Sequence, residues 1–333
     1  MNVMSFDAML PVVFMGLMGV AMLVYVVSDG YDLGVGMLMP AATEDEQTFM
    51  VSSIGPFWDA NETWLVLGIG ILLSAFPGAL LEVLGGLYLP AVAMLVGIML
   101  RGVAFELRVK AHGWQRELWN WLFWAGSFGA SFWQGVMLGR YITGFASGFG
   151  YWLFAFVTGA SLCGGYVLLG ATWLVYKTEG ALQEKARAWC RWGLLWVAFG
   201  VALVSLATPL VSDTVREKWF DFPATLWVMI LPLATAATWL ALWRSMRPGH
   251  RWKRDWAPYL MAVAIFTLAF LGLAYSIFPY VVIDRLTIWE AAAHPTAQRA
   301  LLLGAAIVLP FIVAYTILSY RIFGGKAAKK LYD

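Results

Sequence analysis

The sequence predicts an all-α integral membrane protein of nine transmembrane helices, with the N-terminus outside and the C-terminus cytoplasmic. Three observations predict it. Of the 333 residues, 61% are hydrophobic and only 13% are charged, and the mean hydropathy is +0.74. Apolar runs of about 20 residues, each long enough to cross a bilayer as a helix, recur along the whole chain. The basic residues are shared unequally between alternate connections, which sets the sidedness.

The expected spans are 9–30, 54–74, 79–104, 117–138, 151–175, 188–209, 223–244, 257–279 and 300–321. Span 1 has no basic residue before it and no small-residue cleavage site after it, so it reads as a retained helix and not a signal peptide. Span 2 starts near Ile54 and continues through Trp64 to Ser74. Span 3 closes on Arg101, Glu106 and Arg108. Span 4 carries Gln134 beside Trp133, a position suited to an interhelical hydrogen bond. Cys163 falls inside span 5, and Cys190 sits between Arg187 and Arg191 at the start of span 6. Both read as small packing residues, and two cysteines make no disulfide framework. Pro232 is expected to kink span 7, while Pro258 and Pro279 bracket span 8. The connections are too short to fold alone, so residues 1–333 form a single transmembrane helical domain.

Counting the connections and the helix ends beside them, 17 of the 22 Lys and Arg residues fall after spans 1, 3, 5 and 7 or at the C-terminus. Five fall on the other side. Trp114, Trp119, Trp219, Trp252 and Trp256 lie near span ends, as interfacial anchors do. The spacings Gly30 to Gly34, Gly135 to Gly139 and Gly144 to Gly148 permit close helix contact.

Acidic residues near lipid are costly and are retained for a use. Asp29 and Asp32 lie at the cytoplasmic end of span 1. Asp59 lies five residues into span 2, roughly 8 Å deep if helical, and Glu62 one turn deeper on nearly the same face. Arg101 reaches a similar depth on span 3, so a pairing with Asp59 or Asp29 is expected, within about 8 Å. The bland alternatives are that Asp29 and Asp32 end span 1 among headgroups, and that Glu106 and Arg108 are interfacial.

His112, His250 and His294 all fall in connections, so no two histidines face each other inside the membrane to hold a haem. Met37 and Met39 read as packing residues. There is no CxxC, no CxxCH, no glycine-rich phosphate loop and no HExxH. Redox cofactors are therefore expected on another chain.

The stretches Asp29-Gly30-Tyr31-Asp32-Leu33-Gly34-Val35-Gly36-Met37-Leu38, Gly55-Pro56-Phe57-Trp58-Asp59-Ala60-Asn61-Glu62-Thr63-Trp64-Leu65, Leu100 to Arg108 and Gln134 to Gly139 resemble subunit II of cytochrome bd-type quinol oxidases. The short chain resembles the cyanide-insensitive branch. The resemblance implies a heterodimer in a bacterial cytoplasmic (inner) membrane. Subunit I would bind haem b and haem d type groups and take electrons from the quinol pool to reduce oxygen to water. Subunit II would bind no haem, support assembly and contribute a proton route from the cytoplasm. Asp59, after Trp58, matches the proton-route aspartate. Asp29 and Asp32 match acids near its mouth, and Arg101 and Glu106 complete the set. Glu62 stands where other members carry Gln. The remaining partners implied are membrane lipid and a possible small accessory subunit, with no nucleic acid.

Two other classes fit the same residues. A proton- or sodium-coupled secondary transporter also uses intramembrane acids, although usually near the midplane and in both of two repeats. A purely structural assembly partner would use the charges only to fix helix packing.

Overall fold

The structure is a computed structural model that describes residues 5–247 and 254–327. It is built almost entirely of helices, because the long apolar runs satisfy their backbone polar groups internally only in that form. In chain order the helices are α1 (Phe6–Leu38), α2 (Glu44–Ile54), α3 (Trp58–Ala75), α4 (Leu80–Lys110), α5 (Trp114–Ile142) and α6 (Phe149–Lys177). They continue with α7 (Gly180–Val211), α8 (Asp213–Phe220), α9 (Ala224–Val228), α10 (Ile230–Ser245), α11 (Ala257–Ile277), α12 (Ile288–Ala291) and α13 (Pro295–Ile322). A two-stranded antiparallel hairpin, β1 (Tyr280–Val282) with β2 (Leu286–Thr287), lies between α11 and α12.

Among the described residues, seven segments are long and apolar enough to cross a membrane: Phe6–Ala41, Pro77–Lys110, Phe149–Lys177, Gly180–Val211, Thr225–Ser245, Ala257–Ile277 and Pro295–Ile322. Expected spans 2 and 4 coincide with α3 and α5, which are more polar. The first two turns of α3 hold Asp59, Asn61 and Glu62, and α5 carries Arg116, Glu117, Asn120, Gln134 and Arg140.

Three boundaries differ from the sequence reading in ways that bear on the site. α1 runs on to Leu38 instead of ending near residue 30. Glycines permit this: a Cβ on Gly34 would lie 1.8 Å from the carbonyl oxygen of Tyr166 and 2.9 Å from the nitrogen of Gly170, so α1 and α6 touch backbone to backbone there. The second difference is at α3, which starts at Trp58 and not at Ile54. The turn Gly55–Phe57 separates it from α2, whose N-terminus is fixed by a capping box between Thr43 and Glu46. Third, expected span 7 is divided into α9 and α10 at Met229. Pro232 lacks the N–H that would continue the ladder through that point.

The small-residue spacings divide into two kinds. Gly135 packs on Gly159, and Gly139 on Ala155, across the α5–α6 contact. Gly144 and Gly148 instead have positive φ, at 56° and 132°, and make the turn between these helices. α1 is central, in contact with α3, α5, α6, α11 and α13, while α4 packs on α5 and α7 on α6. Cys163 and Cys190 are free and buried. Trp114 and Trp256 are exposed and Trp219 donates to Ser276 Oγ at 2.7 Å. Trp252 and His250 lie outside the described residues.

The connections gather at two ends. At one, Lys185 meets Glu46 at 2.7 Å, Lys326 meets Asp255 at 2.6 Å and Lys177 donates to the Phe323 carbonyl at 2.7 Å. At the other, Arg299 grips Asp7, with its shortest contact at 2.6 Å. There Trp289 also donates to the Ala8 carbonyl at 3.0 Å and Tyr141 to the Val281 carbonyl at 2.7 Å. The basic-rich connections therefore share one end of the bundle.

Candidate functional site

The inner face of α1 carries Tyr25, Asp29 and Asp32 at helical spacing, and all three are buried. Asp29 lies nine residues before the helix end, roughly 14 Å along the axis. Arg101 comes to it from α4, also fully buried. Arg101 Nη2 donates to Asp29 Oδ1 at 2.6 Å and stands 4.0 Å from Asp32 Oδ2. Nη1 donates to Glu62 Oε1 on α3. The Trp58 ring lies 5.3 Å from the guanidinium carbon, a cation–π distance. That ring rests in turn on Phe105, centroid to centroid 5.0 Å.

A second polar layer continues from Asp32. Asn61 of α3 is buried, and the two hydrogens of its Nδ2 serve three acceptors, Asp32 Oδ2 at 2.7 Å, the Tyr31 hydroxyl at 3.1 Å and the Ser28 carbonyl at 3.2 Å, so one of them is shared. The Tyr320 hydroxyl of α13 donates to Asn61 Oδ1 at 3.3 Å and lies 2.8 Å from the Tyr31 hydroxyl. Among the described residues, Asp29 Oδ2 and Asp32 Oδ1 have no hydrogen-bond partner. Three carboxylates thus share one guanidinium, and two of their oxygens are free to bond a proton. Only Glu62 opens outward, with 24% of its side chain exposed.

A family profile for cytochrome bd terminal oxidase subunit II matches residues 10–323. The chain belongs to that family. It is 28% identical over 323 residues to cytochrome bd ubiquinol oxidase subunit 2 of Bacillus subtilis, across 91% of this chain and 92% of that one. It is 26% identical over 367 residues to cytochrome bd-I ubiquinol oxidase subunit 2 of Escherichia coli K12, across 94% of each. In fold it is similar to a chain in the structure of bd oxidase from Geobacillus thermodenitrificans, with a TM-score of 0.73 and 19% identity over 94% of this chain and 98% of that one. As a member of the cytochrome bd subunit II family it is a multi-pass transmembrane protein of the respiratory oxidoreductases.

The structure brings most of the expected site residues together. Arg101 pairs with Asp29, as expected, and takes Glu62 as its second partner instead of Asp59. The reason is helical phase: Asp59 lies about 100° round α3 from Trp58 and about 160° from Asn61, both of which face the site, and Asp59 is exposed. The expected order of depth is reversed for the same reasons that moved the helix ends. Asp29 and Asp32 are in the interior because α1 continues to Leu38. Asp59 is in the first turn of α3, and among the described residues no ion pair reaches it. Glu106 is exposed on the outer face of α4, away from Arg101. Arg108 is buried, and its Nε donates to Asn120 Oδ1.

Gln134 accepts an interhelical hydrogen bond from the Tyr166 hydroxyl. His112 and His294 are exposed, the latter capping α13. Among the described residues no three His, Cys, Asp or Glu side chains converge as a metal site. Asn61, Tyr31 and Tyr320 were not singled out from sequence. Asn61 carried a usable signal, an uncharged polar residue between Asp59 and Glu62 with an apolar helix beyond it. Tyr31 and Tyr320 carried none, since tyrosines near span ends usually mark an interface.

Proposed function

We propose that this chain is the non-haem subunit II of a membrane-bound quinol:oxygen oxidoreductase of the cytochrome bd type. It stabilises a haem-bearing subunit I and contributes a cytoplasmic proton-uptake route. The observation that carries the reading is the Asp29–Arg101–Glu62 cluster, buried at Asp29 and open only at Glu62, in a chain of this family. Asp59, one turn before Glu62 on α3, is the first carboxylate a proton meets. Glu62, Asp29 and Asp32 are the interior stations. Arg101 and Trp58 hold them in place, and Glu106 adds a negative charge at the mouth.

Haem b and haem d type groups and the quinol site belong to subunit I, where electrons from quinol reduce oxygen to water. Protons drawn from the cytoplasm make that reaction electrogenic without a pump. The residues of this chain bind and release protons, and a carboxylate held beside a guanidinium can do both without leaving an isolated charge in the membrane. The chain crosses a bacterial inner membrane nine times, N-terminus outside and C-terminus cytoplasmic, as one domain. α3 and α5 are the two polar crossings, and neighbouring helices cover their polar faces. Membrane lipid and a small accessory subunit are further partners.

Purification through a tag on this chain tests the reading. The expected result is co-purification of a haem-bearing partner with quinol-dependent oxygen uptake. A colourless chain that purifies alone and moves a solute overturns it in favour of transport.

A further inference from the structure

The Asn61 amide sits at the junction of α1, α3 and α13, and its orientation is fixed by a group that does not titrate. The Ser28 carbonyl, 3.2 Å away, can only accept a hydrogen bond. Nitrogen, not oxygen, must therefore face it, whatever the protonation state of Asp32. With the amide so fixed, the remaining hydrogen bonds close into a ring. The two amide hydrogens serve three acceptors, the Ser28 carbonyl, Asp32 Oδ2 and the Tyr31 hydroxyl at 3.1 Å, so one is shared; Tyr31 donates to Tyr320 at 2.8 Å, and Tyr320 donates back to Asn61 Oδ1 at 3.3 Å. Every hydroxyl donor is used within the ring.

This arrangement makes the two oxygens of Asp32 unequal. Oδ2 faces the Asn61 donor at 2.7 Å and is held as an acceptor. Oδ1 is buried and, among the described residues, has no partner. Asp32 is faced by Asp29 and Tyr31 of α1, Glu62 of α3, Arg101 of α4, Tyr259 of α11 and Tyr320 of α13, and among the described residues only the Asn61 side chain is hydrogen-bonded to its carboxylate.

We infer that Asn61 is a positioning residue of the proton route: locked by the Ser28 carbonyl and the Tyr31–Tyr320 pair, it keeps Oδ2 of Asp32 an acceptor and confines proton exchange to Oδ1. On uptake the Oδ1–H bond forms and Asp32 becomes a neutral acid. On release that bond breaks and the carboxylate again faces Arg101. The inference rests on the reading of Asp32 as a proton station.

The test is infrared difference spectroscopy of the purified complex across pH, with the carbonyl band of protonated Asp32 identified by its loss in Asp32→Asn. Asn61→Leu removes the donor from the charged form, so the midpoint of the band moves to higher pH by about one unit or more. Tyr320→Phe, at the partly exposed edge of the ring, leaves the Asn61 oxygen without its donor and weakens the amide as a donor in turn. It moves the midpoint in the same direction by less, and it remains informative if Asn61→Leu does not assemble. Unmoved midpoints, or no band that Asp32→Asn removes, overturn the inference. Failure of the underlying reading is distinct: Asp32→Asn would then assemble with normal haem absorption and turn over oxygen at the unaltered rate.

Discussion

Arg101 and Asp29 meet at 2.6 Å between α4 and α1, 72 residues apart in sequence, with about 1% of either side chain exposed. Two charges so deeply buried are tolerable only as a pair, and Glu62 supplies the guanidinium with a second acceptor. One guanidinium therefore ties α1, α3 and α4 together at the depth where the acids lie.

Removing that cation is expected to unfold the site and not merely slow it. Arg101→Met leaves buried carboxylates without a counter-charge, at a cost of about 3–5 kcal/mol. Little assembled complex should remain, read as haem absorption per unit of membrane protein. Arg101→Lys keeps the charge but loses the planar fork that reaches Asp29 and Glu62 together. It should assemble with a lower melting temperature in detergent.

The close approach of α1 to α6 has its own test. Gly34→Ala drives a methyl into the Tyr166 carbonyl, which is backbone and cannot rotate away. Overpacking of this kind costs about 1–3 kcal/mol or more. Gly70→Ala on α3, where a Cβ meets nothing within 4 Å, should leave stability within about 0.5 kcal/mol. Equal melting temperatures for the two variants would mean that α1 and α6 are not in backbone contact.

Much of this architecture was legible from sequence because hydropathy and the Lys and Arg distribution are long-range signals. Each expected span coincides with a helix, or with a pair of helices where Pro232 intervenes. The pairing of Arg101 with Asp29 was accessible because both charges had to be offset inside an apolar surround. Depth was not accessible. Whether Asp29 ends a helix or sits within one depends on Gly34 and Gly170 allowing α1 to lie against α6, a tertiary fact. The choice of Glu62 over Asp59 depends on how α3 is rotated against α1 and α4, which tertiary packing decides. The Asn61 ring depends on α13, whose contacts no local pattern encodes.

The sidedness can be read by labelling. Cys163 and Cys190 are both buried, so a chain with single added cysteines gives a low background. Lys326→Cys, at the basic end, should resist a membrane-impermeant maleimide in intact spheroplasts and react after lysis. Arg285→Cys, in the hairpin at the other end, should react in both. The reverse pattern would invert the orientation, and with it the side from which protons are drawn.

The sharpest separation of a proton role from a structural one lies at Asp59. It is exposed, and among the described residues no ion pair or hydrogen bond holds it, so Asp59→Asn removes no stabilising contact. Its effect on stability should stay within about 0.5 kcal/mol, with normal haem absorption. If Asp59 delivers protons to Glu62, oxygen uptake should nonetheless fall by roughly tenfold or more, since an amide cannot take up and release a proton. Glu62→Gln is expected to differ in kind. It shortens the same route but also takes a charged partner from Arg101, so turnover and melting temperature should fall together. Normal turnover in Asp59→Asn would remove that residue from the route, and lost assembly in the same variant would instead mark it as a contact to another subunit.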